Sequence, residues 1–105
     1  MKTAIASTGD NKQSIADERF GRCSYFYIYD SETRKEEIVK NVNKDMPSGV
    51  GVKVVEFLVE KGVNKVIAGE FGPKASNTLN KLGIEAQYLP GKNITVAKVI
   101  ELLND

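Results

Sequence analysis

The sequence of 105 residues contains no histidine, no tryptophan and a single cysteine, Cys23. Histidine is the commonest metal ligand in proteins and the usual general base near neutral pH. Its absence excludes imidazole–metal sites and nucleophiles activated by histidine. One cysteine excludes an internal disulfide and cannot complete a four-ligand zinc site. We therefore expect neither conventional hydrolytic chemistry nor a zinc centre, and the cysteine content fits a reducing compartment.

Long apolar runs and an excess of charge of one sign are also lacking. No apolar stretch approaches the roughly 20 residues of a membrane span, and residues 1–3 lead directly into a strand-like segment without the apolar centre of a signal peptide. Fifteen basic and fourteen acidic residues give a formal net charge of +1. This balance predicts neither nucleic acid nor a membrane as a partner. We expect a cytoplasmic protein that folds as one domain.

The hydrophobic pattern predicts the element order β-β-β-α-β-α-β-α. Strands are expected over residues 2–7, 25–29, 35–42, 64–69 and 85–89, and the second and third form a hairpin. Helices are expected after the polar loop 43–51, near Pro73 and after residue 95. Ser48 and Thr95 are the expected N-caps, Gly62 and Gly83 the expected stops, and Ala75, Leu79 and Leu82 the buried stripe of the second helix. Alternating tyrosines at 25, 27 and 29 are expected to pack rather than to stack on bases.

Strand–helix alternation in the second half predicts parallel pairing and a mixed five-stranded sheet with helices on its faces. In such α/β sheets, ligands bind outside the carboxyl ends of the parallel strands, where the strand order switches. If strands one and four are neighbours, the loops 7–23 and 69–73 meet at that edge. The second loop also presents a helix N-terminus, which favours an anion. The sequence therefore predicts an anion site at this edge.

The segment from Arg19 to Cys23 is the strongest candidate for that site. Arginine carries a planar fork of donors that matches oxyanions, and Gly21 permits a close backbone approach. A thiol beside such cations is expected to lose its proton more easily than a free one. The residues alone also allow a second interpretation, a surface loop in which Cys23 is a small buried apolar side chain.

Three segments make a family resemblance specific. They are Glu18-Arg19-Phe20-Gly21-Arg22-Cys23-Ser24-Tyr25-Phe26, then residues 66–75 (VIAGEFGPKA), and then residues 91–96 (GKNITV). Together they resemble the dinitrogenase iron–molybdenum cofactor biosynthesis family, which includes NifX-like and NifB-like proteins. The resemblance spans all 105 residues. It implies a single domain over residues 1–105 with a ribonuclease H-like motif.

The family resemblance implies non-covalent binding of an iron–sulfur or molybdenum-containing cluster, or its precursor, without catalysis. A protein partner for cluster delivery is then expected. The residues expected around the guest are Arg19, Phe20, Gly21, Arg22, Cys23, Gly69, Glu70, Phe71, Gly72 and Pro73, with Cys23 as the metal ligand. The sequence departs from the family at Arg19, where histidine is usual. Cluster ligation through imidazole is therefore excluded, while Arg19 and Arg22 suit an anionic metal–sulfur species.

Two other functions stay open at this point. The first is a metal-free interaction or regulatory module whose pocket binds a small anion or the acidic tail of a partner. The second is an enzyme, since ribonuclease H-like folds include nucleases that hold two magnesium ions with carboxylates. That chemistry requires an acidic residue in the first strand, and residues 2–7 contain none. Neither a phosphate-binding loop nor a dinucleotide motif is present, so we expect a protein that is not an enzyme.

Overall fold

A computed structural model describes residues 1–104. It contains five strands and three helices in the predicted order. The strands are β1 (Lys2–Ser7), β2 (Tyr25–Asp30), β3 (Glu36–Lys40), β4 (Lys65–Ala68) and β5 (Glu85–Tyr88). The helices are α1 (Val50–Glu60), α2 (Pro73–Lys81) and α3 (Val96–Leu103). Over the residues described, no helix has the length and apolar character needed to cross a membrane.

The strands form one mixed sheet in the order β3-β2-β1-β4-β5. β1 lies at its centre, with Ile5 opposite Tyr27 in an antiparallel pair and opposite Ile67 in a parallel pair. β2 and β3 form the expected antiparallel hairpin, and β4 and β5 are parallel. This topology confirms the single α/β domain with a ribonuclease H-like motif. Because β1 and β4 are parallel neighbours, the loops that follow them leave the same edge of the sheet side by side.

The two faces of the sheet are covered by different helices. Successive strand residues point to opposite faces, so Ala4 and Ala6 belong to one core cluster and Ile5 to the other. The first cluster contains the buried faces of α1 and α2, and the second contains that of α3. Tyr27 and Tyr29 lie in the second cluster, which confirms that these two tyrosines pack in the core. The helices α1 and α2 therefore begin on the same side of the sheet.

Most predicted helix ends are confirmed. The Thr95 hydroxyl accepts a hydrogen bond from the Lys98 N–H at 3.1 Å and caps α3. Gly62 and Gly83 follow α1 and α2 with φ angles of 79° and 70°. Both glycines take the left-handed conformation that terminates helices at low cost. Pro73 is the first residue of α2, where its missing N–H leaves no hydrogen bond unmade.

Two predictions at helix ends were wrong, because α1 begins two residues after Ser48 and α2 ends one residue before Leu82. Ser48 does not cap α1, because the helix begins at Val50 and Gly49 is its N-cap, with φ 73° and no side-chain cap. Leu82 does not belong to the buried stripe of α2. It follows the helix as the C-cap residue and is 53% exposed, while Ile84, beyond the turn, is only 8% exposed. The turn at Gly83 therefore sends Ile84 into the core in place of Leu82.

The third strand is shorter than predicted, because the chain turns away at Asn41. The Asn41 amide donates hydrogen bonds at 2.9 Å to the carbonyls of both Gly21 and Cys23. Its side chain is buried, whereas that of Val42 is 74% exposed. The segment that follows β3 is thus tied to the loop before β2 rather than continuing the sheet edge.

Candidate functional site

The candidate site lies where the loops after β1 and β4 meet. Arg19 and Glu70 form an isolated parallel bridge between them. The Glu70 N–H donates to the Glu18 carbonyl at 2.6 Å, and the Phe20 N–H donates to the Glu70 carbonyl at 3.2 Å. The predicted convergence of the two loops is confirmed. Because these bonds join backbone to backbone, they hold the loops in register whatever their side chains do.

Gly69 allows this close approach. A β-carbon at Gly69 would lie 2.7 Å from the Cα of Glu18, well inside van der Waals contact. Three residues later, a β-carbon at Gly72 would have no atom within 4 Å. Gly72 instead serves as the N-cap of α2. The two glycines of the segment 66–75 therefore have different roles. Gly69 allows the two loops to approach each other, and Gly72 leaves the N-terminus of α2 accessible.

An open cavity of about 480 Å³ lies against these loops. Thirteen residues line it: four glycines, five apolar residues, three cations and one carboxylate. Seven of the ten predicted binding residues are among them, namely Arg19, Phe20, Gly21, Arg22, Glu70, Gly72 and Pro73. The lining residues that sequence reasoning did not assign to the site are Gly49, Val50, Gly51, Val52, Lys74 and Ala75. Gly69, Phe71 and Cys23 do not line the cavity.

The charged side chains of the wall are Arg19, Arg22, Lys74 and Glu70, which leaves an excess of two positive charges. Arg19 is anchored by Asp17, whose carboxylate accepts from the Arg19 Nε at 3.3 Å and from its backbone N–H at 2.9 Å. This hydrogen bond, assisted by the charge of Asp17, raises the pKa of Arg19 above its usual value. Asp17 is only 5% exposed, whereas the Arg19 side chain is 59% exposed to solvent. The cavity therefore carries a fixed positive charge.

Two helices begin at the cavity. Val50, Gly51 and Val52 belong to the first turn of α1, and Pro73, Lys74 and Ala75 to that of α2. Neither helix has a side-chain cap or an acidic residue in its first turn, whereas α3 is capped by Thr95. The backbone N–H groups at such helix starts attract anions. The two helix starts thus add to the positive potential of the side chains.

Gly51 allows the two helices to begin so near each other. A β-carbon at Gly51 would lie 3.0 Å from the Cβ of Ala75, tighter than ordinary side-chain contacts. The sequence offered a signal for this wall, since glycines at 49 and 51 flank the predicted helix start. We assigned that pair to a polar loop, because a glycine spacing alone does not reveal which helix it will face.

Arg22 connects the cavity to the loop 41–49. Its Nη1 donates hydrogen bonds at 2.7 Å to the carbonyls of Lys44 and Met46. The Asn41 amide ties the beginning of the same loop to Gly21 and Cys23. The loop ends at Gly49, next to the start of α1 on the cavity wall. Arg22 therefore acts both as a charge on the wall and as a fastening for the loop.

Cys23 is fully buried, as the second interpretation of the sequence described it. Its Sγ donates to the Phe20 carbonyl at 3.3 Å, and burial, reinforced by the charge of Asp17, raises the thiol pKa to about 12. The expectation of an acidic thiol was wrong, because both arginines are exposed to solvent whereas the sulfur is enclosed in the core, where the loss of water disfavours the thiolate. Cys23 as a metal ligand stays a prediction of the family resemblance alone, whereas the position of its sulfur outside the cavity lining favours a guest that needs no ligand from the chain.

Aromatic side chains support the wall from the core. Phe20 lines the cavity and is only 2% exposed, so it is both a wall residue and a core residue. Its ring centroid lies 5.6 Å from that of Phe26 and 5.1 Å from that of Phe71. Phe71 in turn packs against Tyr88 at 5.7 Å. Phe71 therefore positions Phe20 rather than facing the cavity itself.

The composition of the wall determines what it can bind. Across residues 1–104, no group of three or more His, Cys, Asp or Glu side chains is arranged to hold a metal ion. Direct coordination of a bare metal has no support in this geometry. A guest with negative charge on its own surface would meet cations, helix N–H groups and apolar side chains.

Comparisons with known proteins agree with this fold and with the family resemblance. The family described as dinitrogenase iron-molybdenum cofactor matches residues 1–105. An uncharacterized protein of Methanocaldococcus jannaschii is 35% identical over 69 residues, which cover 63% of this chain. That match spans only 58% of the length of this curated relative.

Two solved structures are similar over nearly the whole chain. The apo form of the orange protein from Desulfovibrio gigas is 28% identical, with a TM-score of 0.90, and the match covers 99% of this chain and 87% of that one. A Thermotoga protein of the DUF35 family, solved by NMR as a NifB candidate, is 37% identical with a TM-score of 0.81. That match covers 98% of this chain and 86% of the other. These similarities confirm the resemblance drawn from the sequence.

Proposed function

This chain belongs to the dinitrogenase iron–molybdenum cofactor family, and we propose that it is a non-catalytic carrier of an anionic metal–sulfur cluster or cluster precursor. One observation carries the proposal: a cavity of about 480 Å³ combines three cations and two uncapped helix starts with no set of metal ligands. The guest would be held non-covalently and passed on to a protein partner.

The charge of the wall supports an anionic guest. Arg19, Arg22 and Lys74 contribute charge-assisted hydrogen bonds, which are stronger than neutral ones. The first turns of α1 and α2 offer N–H groups that require no protonation change to bind an anion. Because all of these donors are in place before binding, little reorganisation is needed.

The apolar residues and glycines of the cavity wall favour a guest whose surface consists of sulfur rather than oxygen atoms. Sulfide ligands are large and weakly hydrated, so they are compatible with apolar contacts from Phe20, Val50 and Pro73. Gly21, Gly49, Gly51 and Gly72 leave backbone accessible where side chains would fill the space. A cluster already coordinated by sulfide needs no ligand from the protein, which agrees with the absence of histidine from the sequence.

The experiment is metal analysis with a visible spectrum on protein purified without oxygen. The protein is then mixed with tetrathiomolybdate, or with an iron–sulfur species, and desalted. We expect metal to be retained near one guest per chain, with a charge-transfer band. Arg19→Ala should lower the affinity for tetrathiomolybdate about tenfold or more, because one charge-assisted hydrogen bond is worth about 1.5–3 kcal/mol.

A matched pair of lysines on α2 supplies the control. Lys74 lies on the cavity wall in the first turn, and Lys81 lies at the opposite end of the same helix. Lys74→Ala should weaken binding, and Lys81→Ala should not, although both remove one positive charge. Equal effects of the two substitutions would indicate unspecific attraction. A colourless protein that releases all metal on desalting would refute the carrier function and favour a metal-free interaction module.

A further inference from the structure

Arg22 occupies two structural positions at once. It lines the cavity, and its Nη1 donates to two backbone carbonyls, those of Lys44 and Met46, at 2.7 Å each. Nη1 carries two hydrogens, so both are used by the loop 41–49. The guanidinium has three further N–H groups, on Nε and Nη2. Within residues 1–104 these three groups make no hydrogen bond.

The two hydrogen bonds from Arg22 are the main contacts that hold the middle of the loop 41–49 to the rest of the protein. Asn41 anchors its beginning, through the two carbonyls it bonds at 2.9 Å and through its N–H to the Ser24 carbonyl at 3.0 Å. Further along, the side-chain bond from the Lys44 Nζ to the Ser24 hydroxyl is long, at 3.5 Å. The short bonds to Arg22 are therefore the principal tie of the middle of the loop. Its end leads directly into the first turn of α1 on the cavity wall.

We propose that Arg22 couples occupancy of the cavity to the order of the loop 41–49. This inference rests on the proposed function. An anion bound by Nε and Nη2 fixes the guanidinium plane, and the same plane carries the donors to Lys44 and Met46. Ordering the Arg22 side chain costs conformational entropy only once, although the ordered side chain then bonds both the guest and the loop.

The coupling acts in both directions. Two binding events that share one group must favour each other by the same factor. A guest in the cavity therefore tightens the loop, and a protein that pulls the loop away weakens the hold on the guest. The loop 41–49 is in this way the point where a receiving partner would promote release.

Hydrogen exchange of the backbone amides in residues 41–49 tests the coupling, with tetrathiomolybdate as the probe. In the unaltered protein, the probe should slow exchange in this loop about tenfold, the equivalent of about 1.4 kcal/mol. Arg22→Lys keeps the positive charge but replaces the fork with a single ammonium that cannot serve both sides. Exchange in the free R22K protein should be about tenfold faster, because a charge-assisted hydrogen bond is lost. The probe should bind R22K more weakly and no longer slow the loop at saturation.

Arg19→Lys is the matched control. Arg19 lines the same cavity but is anchored on Asp17 and makes no bond to the loop. At saturating probe, R19K should show the full slowing of the loop despite a lower affinity. Exchange in β1 and β4 should be the same in all three proteins, which checks that each is folded.

The possible results separate the two proposals. Probe that binds the unaltered protein without slowing residues 41–49, or that still slows them in R22K, overturns the coupling and leaves the carrier function intact. Loss of the slowing in R19K would also overturn it, since the effect would not depend on Arg22. Probe that does not bind at all refutes the carrier function and the coupling with it. Unchanged loop exchange in free R22K would refute the fastening itself.

Discussion

Substitution of Gly69 by alanine tests the architecture of the site directly. The new β-carbon would lie 2.7 Å from the Cα of Glu18, which is backbone and cannot rotate away. Ordinary contacts of this kind are about 3.5–4.0 Å. The loops after β1 and β4 must therefore move apart by roughly 1 Å.

That displacement acts on two hydrogen bonds. The bond from the Glu70 N–H to the Glu18 carbonyl measures 2.6 Å, and that from the Phe20 N–H to the Glu70 carbonyl measures 3.2 Å. Overpacking of a tight site costs about 1–3 kcal/mol, and each weakened hydrogen bond adds about 1 kcal/mol. We expect Gly69→Ala to lower the free energy of unfolding by about 3–5 kcal/mol. Guest affinity should fall too, because the two loops that form this part of the cavity wall move apart.

Urea denaturation followed by circular dichroism measures the change in unfolding free energy. Gly72→Ala is the matched control on the same loop, because its β-carbon would meet nothing within 4 Å. As an N-cap substitution, it should cost at most about 1 kcal/mol. If Gly69→Ala unfolds at the same urea concentration as Gly72→Ala, the close approach does not hold the site together and our account of the two loops is refuted.

Two further predictions concern charge and titration. Glu70→Gln removes the carboxylate from the cavity wall and should raise the affinity for tetrathiomolybdate severalfold at low salt, with a smaller gain at high salt; an unchanged affinity would place Glu70 outside the field felt by the guest. Burial raises the pKa of the Cys23 thiol from 9.0 to about 12, and burial together with the hydrogen bond to Glu36 raises that of Tyr27 from 10.0 to about 12. Since the folded protein holds these protons more tightly than the unfolded chain, the stability they contribute is complete below pH 9 and is lost as the pH rises towards 12. Cys23→Ala and Tyr27→Phe should each make this alkaline loss of stability less steep, and Cys23→Ala should leave tetrathiomolybdate binding unchanged; an equally steep loss in both variants would show that other groups cause it.

The fold was predictable because local signals agreed with one another. Strand alternation, the glycine stops at 62 and 83, and the cap at Thr95 all indicated the same element order. The convergence of two loops followed from that order, because parallel strands leave their loops at the same edge. Errors in the fold fell at the ends of elements, as with Ser48 and Leu82 beside helices and with the early end of β3 at Lys40.

The site was only partly predictable, because its remaining parts depend on tertiary contacts. Arg22 and Met46 are 24 residues apart, and nothing in the sequence indicates that the Arg22 guanidinium donates a hydrogen bond to the Met46 carbonyl. Likewise, the neighbouring arginines suggested a lowered pKa for the Cys23 thiol, whereas burial of the sulfur raises it. A sequence gives the charge of neighbours along the chain, but the pKa depends on the neighbours in space and on the loss of water.

The family resemblance implies a histidine at position 19, and Arg19 in its place would change how a guest leaves as well as how it binds. A metal–imidazole bond has to be broken or exchanged before a cluster can move on. A cluster held by Arg19, Arg22, Lys74 and two helix starts has no such bond to the protein, so its hold depends on the geometry of the wall. That geometry is set by two ties, the backbone bridge at Gly69–Glu70 and the fastening of the loop 41–49 by Arg22. The first joins the backbones of the two loops that follow β1 and β4, whereas the second joins a side chain to a surface loop, where another protein can reach it. Release through the second tie would cost a few hydrogen bonds while the fold stays intact.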